Sequence, residues 1–204
     1  MSEFDEKAAT WDENPDRVER AFKIAEYFKD NVDLSYVQSA LEYGSGTGLL
    51  SFALKDVLAR ITLMDGSLEM TKVAQQKVKE QEQDHLHPVH YDLMEQDLPQ
   101  DRYDLIFNLL TLHHIDDTAG FIEKCADLLN SKGQLVIIDL EKEDGTFHDG
   151  PFNGHNGFDK DELELILNKA GFAVEHYGVC YEIEKTKEDG SKRPFPLFML
   201  VARK

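Results

Sequence analysis

Leu41-Glu42-Tyr43-Gly44-Ser45-Gly46-Thr47-Gly48-Leu49-Leu50 joins an apolar run to a segment of helical pattern through three glycines spaced two apart. A turn this rich in glycine lets backbone approach a ligand closely, because no Cβ intervenes. It also aims free N–H groups at whatever sits over the following helix N-terminus. The stretch predicts strand, ligand-binding turn and helix in that order, which is the opening unit of an α/β sheet.

The alternation continues outward from there. Upstream, Asn14-Pro15 reads as a cap and first helical turn, with Val18, Ala21, Phe22, Ala25 and Phe28 at helical spacing. A strand is predicted over Val37–Glu42 and a helix over Leu49–Val57. Downstream, Arg60–Asp65 is a second strand, and Ser67 can cap a helix carrying Met70, Val73, Ala74 and Val78 on one face. Val89–Asp92 reads as a third strand and Tyr103–Leu110 as a fourth, apolar enough to be covered on both faces. A helix through Phe121–Leu129 precedes a fifth strand, Gly133–Asp139. Asp159-x-x-Glu162 resembles a capping box and opens a helix that Gly171 stops. Val174–Lys185 and Phe195–Arg203 form a hairpin around Asp189-Gly190. Glu141–Gly157, with four glycines among polar residues, reads as the most flexible segment.

Composition bounds the function. The 204 residues suit one domain, and 41% hydrophobic with 30% charged residues is ordinary for a soluble globular protein. No run is long and apolar enough to span a membrane, and the acidic N-terminus lacks a signal pattern, so a cytoplasmic location is expected. A formal charge of −18 opposes association with nucleic-acid phosphates, and the one short basic cluster, Lys185 to Arg193, is interrupted by Glu188 and Asp189. Cys125 and Cys180 stand far apart without metal-ligand neighbours, so neither a disulfide framework nor a metal site is expected.

In an open parallel sheet, ligands bind beyond the carboxyl ends of the strands, near the switch in strand order. The glycine turn, Asp65, Asp92 and Asn108 all fall at such ends. A carboxylate ending the second strand suits vicinal ribose hydroxyls, and Asp65 stands seventeen residues beyond Gly48. A dinucleotide fold prefers G-x-G-x-x-G/A, and this chain places Leu49 where the last small residue belongs.

At this point the chain resembles the class I S-adenosylmethionine-dependent methyltransferases. Glu42-x-Gly44-x-Gly46-x-Gly48 matches their first motif. Asp65-Gly66-Ser67-Leu68-Glu69-Met70 looks like their ribose motif, and Leu109-Leu110-Thr111-Leu112-His113-His114-Ile115 like the segment after their fourth strand. The resemblance covers nearly the whole chain. It implies a three-layer Rossmann-like α/β sheet of seven strands, ordered 3-2-1-4-5-7-6 with the last antiparallel and helices on both faces. It also implies one domain over residues 1–204, a helical lid over 1–30 and a core over 37–204. The segment Phe4-x-x-x-Ala8-x-x-Trp11-Asp12 is similar to the lid of small-molecule members.

The resemblance assigns roles as well. S-adenosyl-L-methionine is the implied cofactor, with Gly44, Ser45, Gly46, Thr47 and Gly48 against its methionine part and Glu42 ordering the loop or its amino group. Asp65, Gly66 and Ser67 would serve the ribose, Met70 the adenine, and Asp92 with the Leu93 backbone the adenine amino group. Asp97, nearer Leu98-Pro99, is the rival for that last role. Asn108, Leu109, His113 and Trp11 complete the expected site.

Methyl transfer from a sulfonium needs positioning and desolvation first, and a base only where the nucleophile arrives protonated. His113 is the best-placed candidate, ahead of His114, Asp139, His148 and His155. The Asn/Asp-Pro-Pro-Tyr signature of planar-nitrogen methylation is absent at Asn108-Leu109-Leu110-Thr111, and neither cysteine follows a proline. A small-molecule O-, N- or C-methyltransferase is expected. The alternatives are a nicotinamide-dependent oxidoreductase and a cofactor-binding module without catalysis. The acceptor and the oligomeric state leave no mark in the sequence.

Overall fold

The computed structural model describes residues 3–186 and 190–204. Met1, Ser2, and the Lys187, Glu188 and Asp189 of the expected hairpin tip lie outside the described residues. Among the described residues six helices run Glu3–Lys7 (α1), Pro15–Asn31 (α2), Leu49–Leu54 (α3), Leu68–Glu80 (α4), Thr118–Leu128 (α5) and Lys160–Lys169 (α6). Seven strands run Ala40–Tyr43 (β1), Ile61–Asp65 (β2), Leu86–His90 (β3), Tyr103–Leu109 (β4), Leu129–Leu140 (β5), Ala173–Thr186 (β6) and Lys192–Arg203 (β7). Short 3-10 turns cover Ala8–Glu13 and Leu112–His114. The sheet order is β3-β2-β1-β4-β5-β7-β6, with β7 antiparallel to both its neighbours and the remaining pairs parallel. This is the predicted order.

Strict alternation along the strands explains the three layers, since successive side chains leave opposite faces of a sheet. Val136, Ile138 and Leu140 of β5 and Met199 and Val201 of β7 pack with Ile24 and Phe28 of α2, Leu50 and Leu54 of α3 and Ala74 of α4. Their neighbours Leu135, Ile137, Leu200 and Ala202 pack on the other face with Phe121 and Ile122 of α5 and Leu163 and Leu167 of α6. Every one of these side chains is buried. Among the described residues no helix is long and apolar enough to cross a membrane.

The helix starts follow the expected caps. Asn14 accepts from Asp16 N, Ser67 from Met70 N, and Asp159 from Asp161 N and Glu162 N. Several bounds differ from the sequence reading: α3 ends at Leu54 instead of Val57, β5 runs Leu129–Leu140 where Gly133–Asp139 is expected, and β1, β3 and the α2 stripe differ for local reasons. β1 begins at Ala40, whose N–H donates to Arg60 O; just before it, Asp104 accepts from Gln38 N and Ser39 N at 2.9 and 3.1 Å and takes those two donors out of the ladder. β3 spans Leu86–His90, not Val89–Asp92; Pro88 is tolerated because β3 is the sheet edge. On α2, Ile24 is buried and Phe22 is 58% exposed, so the inward stripe sits slightly off the predicted one.

Candidate active site

β1 and β4 are adjacent, with their helices leaving on different faces, and a cavity of about 1000 Å³ opens beyond their carboxyl ends. The glycine turn is pinned from two sides. Gly44 N and Ser45 N both donate to Met64 O of β2, at 2.8 and 3.1 Å. Gly46 N donates to Asp65 Oδ2 at 2.6 Å. From the β4 side, Thr111 Oγ1 donates to Gly44 O at 3.3 Å. Gly44 has φ +68°, and a Cβ there would stand 2.2 Å from the Thr111 methyl, so conformation and space both demand glycine. At Gly46, φ is +54° and the nearest atom to such a Cβ is Met70 Sδ at 3.9 Å, so this backbone is bare toward the cavity.

Asp65 ends β2 with both carboxylate oxygens in use once. Oδ1 accepts from Ser67 N at 2.7 Å and Oδ2 from Gly46 N. Burial raises its pKa, and the two backbone N–H groups hold it down against that. Each oxygen retains acceptor capacity. Asp92 lies in the turn after β3. Its Oδ1 accepts from Tyr43 Oη at 2.9 Å and Met94 N at 2.8 Å, and its Oδ2 stands beside Gly66 with no donor among the described residues. Burial is the first cause of the strongly raised Tyr43 pKa, followed by the Asp92 charge, so the phenol stays protonated and donates.

Glu42 is 2% exposed on β1 and accepts from Ser51 N at 3.1 Å and from Ser51 Oγ. Burial pushes its pKa up to about 8, against those two bonds. At neutral pH it is largely a neutral acid.

The far end of the cavity is histidine and aromatic. His113 Nδ1 lies 2.7 Å from Asp139 Oδ1, and His113 N donates to Asp139 Oδ2 at 3.1 Å. Leu140 N donates to Asp139 Oδ1 at 2.8 Å. A carboxylate held by backbone donors is an acceptor, so Nδ1 carries the proton and Nε2 is left as the basic atom. His114 packs 4.1 Å from the His113 ring and 5.2 Å, edge on, from Phe4. Burial, and then the neighbouring His113, push its pKa down to about 4. His148 stacks on Phe152 at 3.6 Å, and burial lowers its pKa too. Among the described residues no three His, Cys, Asp or Glu side chains converge as metal ligands.

The N-terminal segment closes over both ends. Ser67 Oγ donates to Asp5 Oδ1 at 2.6 Å. Asp12 accepts from Thr47 Oγ1 and, at 2.6 Å, from Lys77 Nζ. Trp11 lines the cavity with the Arg17 guanidinium 3.8 Å over its ring.

Of the residues expected in the site, Trp11, Glu42, Gly44, Ser45, Gly46, Asp65, Gly66, Ser67, Met70, Asp92, Leu109 and His113 line this one cavity. Thr47, Gly48, Leu93 and Asn108 stand back from its wall. Thr47 is turned to Asp12, and Gly48 lies against Leu63. Leu93 is core, and Asn108 is fully buried with both amide atoms unpartnered among the described residues. Asp97 is absent from the wall, and its carbonyl accepts from Tyr91 Oη. His155 is turned to Thr118 and Ile115 O. The sequence reading does not single out Arg17 or Arg20 as wall residues; Phe4 belongs to its lid pattern, and Phe147 and Lys185 come from the Glu141–Gly157 loop and the hairpin. For the two arginines a signal exists, because Arg17 and Arg20 continue the buried stripe of α2 by helical spacing.

These residues fit S-adenosylmethionine. Two acceptor sites remain on Asp65 for two hydroxyls, Asp92 Oδ2 offers one for an amino group, and the bare Gly46 backbone lines the same cavity beside Asp65 and Met70. They do not suit a reductase. A Tyr181-x-x-x-Lys185 spacing does occur, but on strand β6, where four residues span about 13 Å instead of one helical turn.

Known proteins agree. The chain is 23% identical over 154 residues to a ubiquinone biosynthesis O-methyltransferase of Glaesserella parasuis, covering 70% of this chain and 64% of that one. The chain spans about half the length of other curated relatives it matches. Among solved structures, a Haloferax volcanii methyltransferase in complex with the Trm112 methyltransferase activator superposes with TM-score 0.79 at 18% identity, over 100% of this chain and 98% of that one. An S-adenosylmethionine-dependent methyltransferase of Aquifex aeolicus superposes with TM-score 0.69 at 20% identity, over 97% of each. A methyltransferase-domain family model matches residues 6–177, and on that match the chain belongs to the S-adenosylmethionine-dependent methyltransferase family.

Proposed function

We propose that this protein moves a methyl group from S-adenosylmethionine to the nucleophilic atom of a small molecule, as one domain with residues 1–30 as its lid. The observation that carries this reading is the shape of the cavity, with strand-end carboxylates at one end and the Asp139-held His113 at the other. Bound S-adenosylmethionine supplies a methyl group on a positively charged sulfur, so its leaving group is activated from the start.

Asp65 accepts from the ribose hydroxyls and Asp92 Oδ2 from the adenine amino group, while Met70 packs beside them. Glu42 meets the methionine amino group; a cation there draws the proton off Glu42, since an opposite charge favours the ionised form. The lid excludes water. His113 Nε2 takes the proton from an acceptor that arrives protonated, and Asp139 keeps the ring in the productive tautomer and steadies the imidazolium. His114, held neutral, adds no competing charge beside it. A small acceptor suits a cavity of about 1000 Å³ that also has to hold the cofactor, and the −18 charge argues against nucleic acid. The absence of a membrane-crossing helix among the described residues accords with action in the cytoplasm.

The test is formation of S-adenosylhomocysteine from S-adenosylmethionine across a broad panel of hydroxyl, amine and carbon acids. Turnover that depends on acceptor supports the reading. Tight cofactor binding with no product for any acceptor leaves a binding module instead.

A further inference from the structure

Four lysine and arginine side chains line the cavity of this acidic protein: Lys7, Arg17, Arg20 and Lys185. Three are engaged. Lys7 pairs with Glu3, Arg17 stacks on Trp11 and donates to its carbonyl at 3.2 Å, and Lys185 donates to Phe147 O and to Asp149 at 3.1 Å. Arg20 makes no hydrogen bond or ion pair among the described residues, and its Nε is buried without a partner. The groups whose charge acts on it are the Tyr181 phenol of β6, then Arg17 and Asp16 of its own helix, and none of them bonds to it. A desolvated guanidinium without a partner is costly, and such a group is stabilised by an anion that meets its fork.

Its position says which anion. Arg20 lines both the cavity and an adjoining groove between α2 and β6, so it stands on the β6 side. It shares that wall with Ile183, which pairs across the hairpin with Phe195, and Phe195 packs 5.3 Å from Phe147. This is the aromatic end of the cavity, not the end of Asp65 and Asp92. One available fork matches one carboxylate, since a phosphate dianion would call for more donors than Arg20 alone provides.

We propose that Arg20 binds a carboxylate of the methyl acceptor, so that the acceptor class is a small apolar or aromatic carboxylic acid. The inference rests on the methyltransferase reading above and adds the substrate class to it. Arg20 is a specificity-determining residue in this scheme, and His113 stays the group that meets the reacting atom.

The test uses the protein loaded with S-adenosylhomocysteine, with Trp11 fluorescence as the signal. It is titrated with cyclohexanecarboxylate and with the uncharged cyclohexanecarboxamide. The wild type should bind the carboxylate about ten- to a hundredfold more tightly, the range for one charge-assisted hydrogen bond. Arg20→Gln should erase that preference and leave S-adenosylhomocysteine affinity within about twofold; Arg20→Lys should restore part of it and covers the case in which Arg20→Gln fails to fold. Equal binding of both probes by the wild type overturns the proposal. A loss of S-adenosylhomocysteine affinity in Arg20→Gln also overturns it, because Arg20 then serves the methionine carboxylate of the cofactor. Failure of the wild type to bind S-adenosylhomocysteine at all is a separate result, which sinks the methyltransferase reading itself.

Discussion

At its Asp65 end the cavity is walled by backbone that strands β1 and β2 hold in place: Gly44 N and Ser45 N on Met64 O, Gly46 N and Ser67 N on one carboxylate. At its His114 end it is walled by side chains from segments that are distant in sequence, with Phe4 against His114 and His148 stacked on Phe152. The first end has little freedom to change, because each contact spends a strand terminus. The second can be re-lined by substitution without disturbing the sheet. A fold of this kind can keep one donor and exchange acceptors, and the difference in construction is what permits it.

Substitutions at the two ends should therefore separate. His113→Gln removes the basic Nε2, and kcat should fall by about 10²–10⁴, the usual range for a general base, with S-adenosylhomocysteine affinity unchanged. An unaltered kcat means the acceptor arrives already ionised or unprotonated. Asp65→Ala should do the reverse. S-adenosylhomocysteine should bind more weakly by about 1–3 kcal/mol, read by titration calorimetry, since charged hydrogen bonds are lost. If affinity stays constant in a folded protein, Asp65 does not hold the ribose.

Glu42 tests the same end through pH. Its pKa is about 8 in the folded protein against 4.5 for the ordinary group, so the folded state binds the extra proton. Its stabilising share is complete below about pH 4.5 and is lost as pH rises toward 8, with a slope of at most about 1.4 kcal/mol per pH unit. Glu42→Gln should flatten the fall in stability across that window in the ligand-free protein. A parallel pH profile for the two proteins would place the titrating group elsewhere. Asp12→Ala should have the smallest effect. It breaks a partly exposed pair with Lys77, worth about 1 kcal/mol, and should shift Trp11 emission to the red while kcat changes less than twofold.

The sequence carries the two ends unequally for the same reason. Backbone recognition needs glycine at fixed spacing and an acid at a strand end, so Gly44, Gly46 and Asp65 are readable by position. Asp92 is readable too as a wall residue, although β3 ends two residues earlier than expected and the acid reaches the cavity from the turn. Phe4 and His114 meet across more than a hundred residues, and nothing local to either marks the other. Arg20 lies between: its place on the α2 stripe is legible, but a lone charge on a buried stripe reads as a surface residue until Ala21, Ile24 and Phe28 fix which way the helix faces. Asn108 misled, since a polar residue near a strand end points to the crevice only if its side chain leaves the correct face of the sheet. It is buried away from the cavity wall.

The N-terminal segment is fastened unevenly. Its hydrogen-bonded anchors, Asp5 on Ser67 and Asp12 on Thr47 and Lys77, all lie on the Asp65 side of the cavity, whereas Phe4 on His114 is only a ring contact. Charged hydrogen bonds outlast a ring contact, so the His114 side is the easier of the two to part.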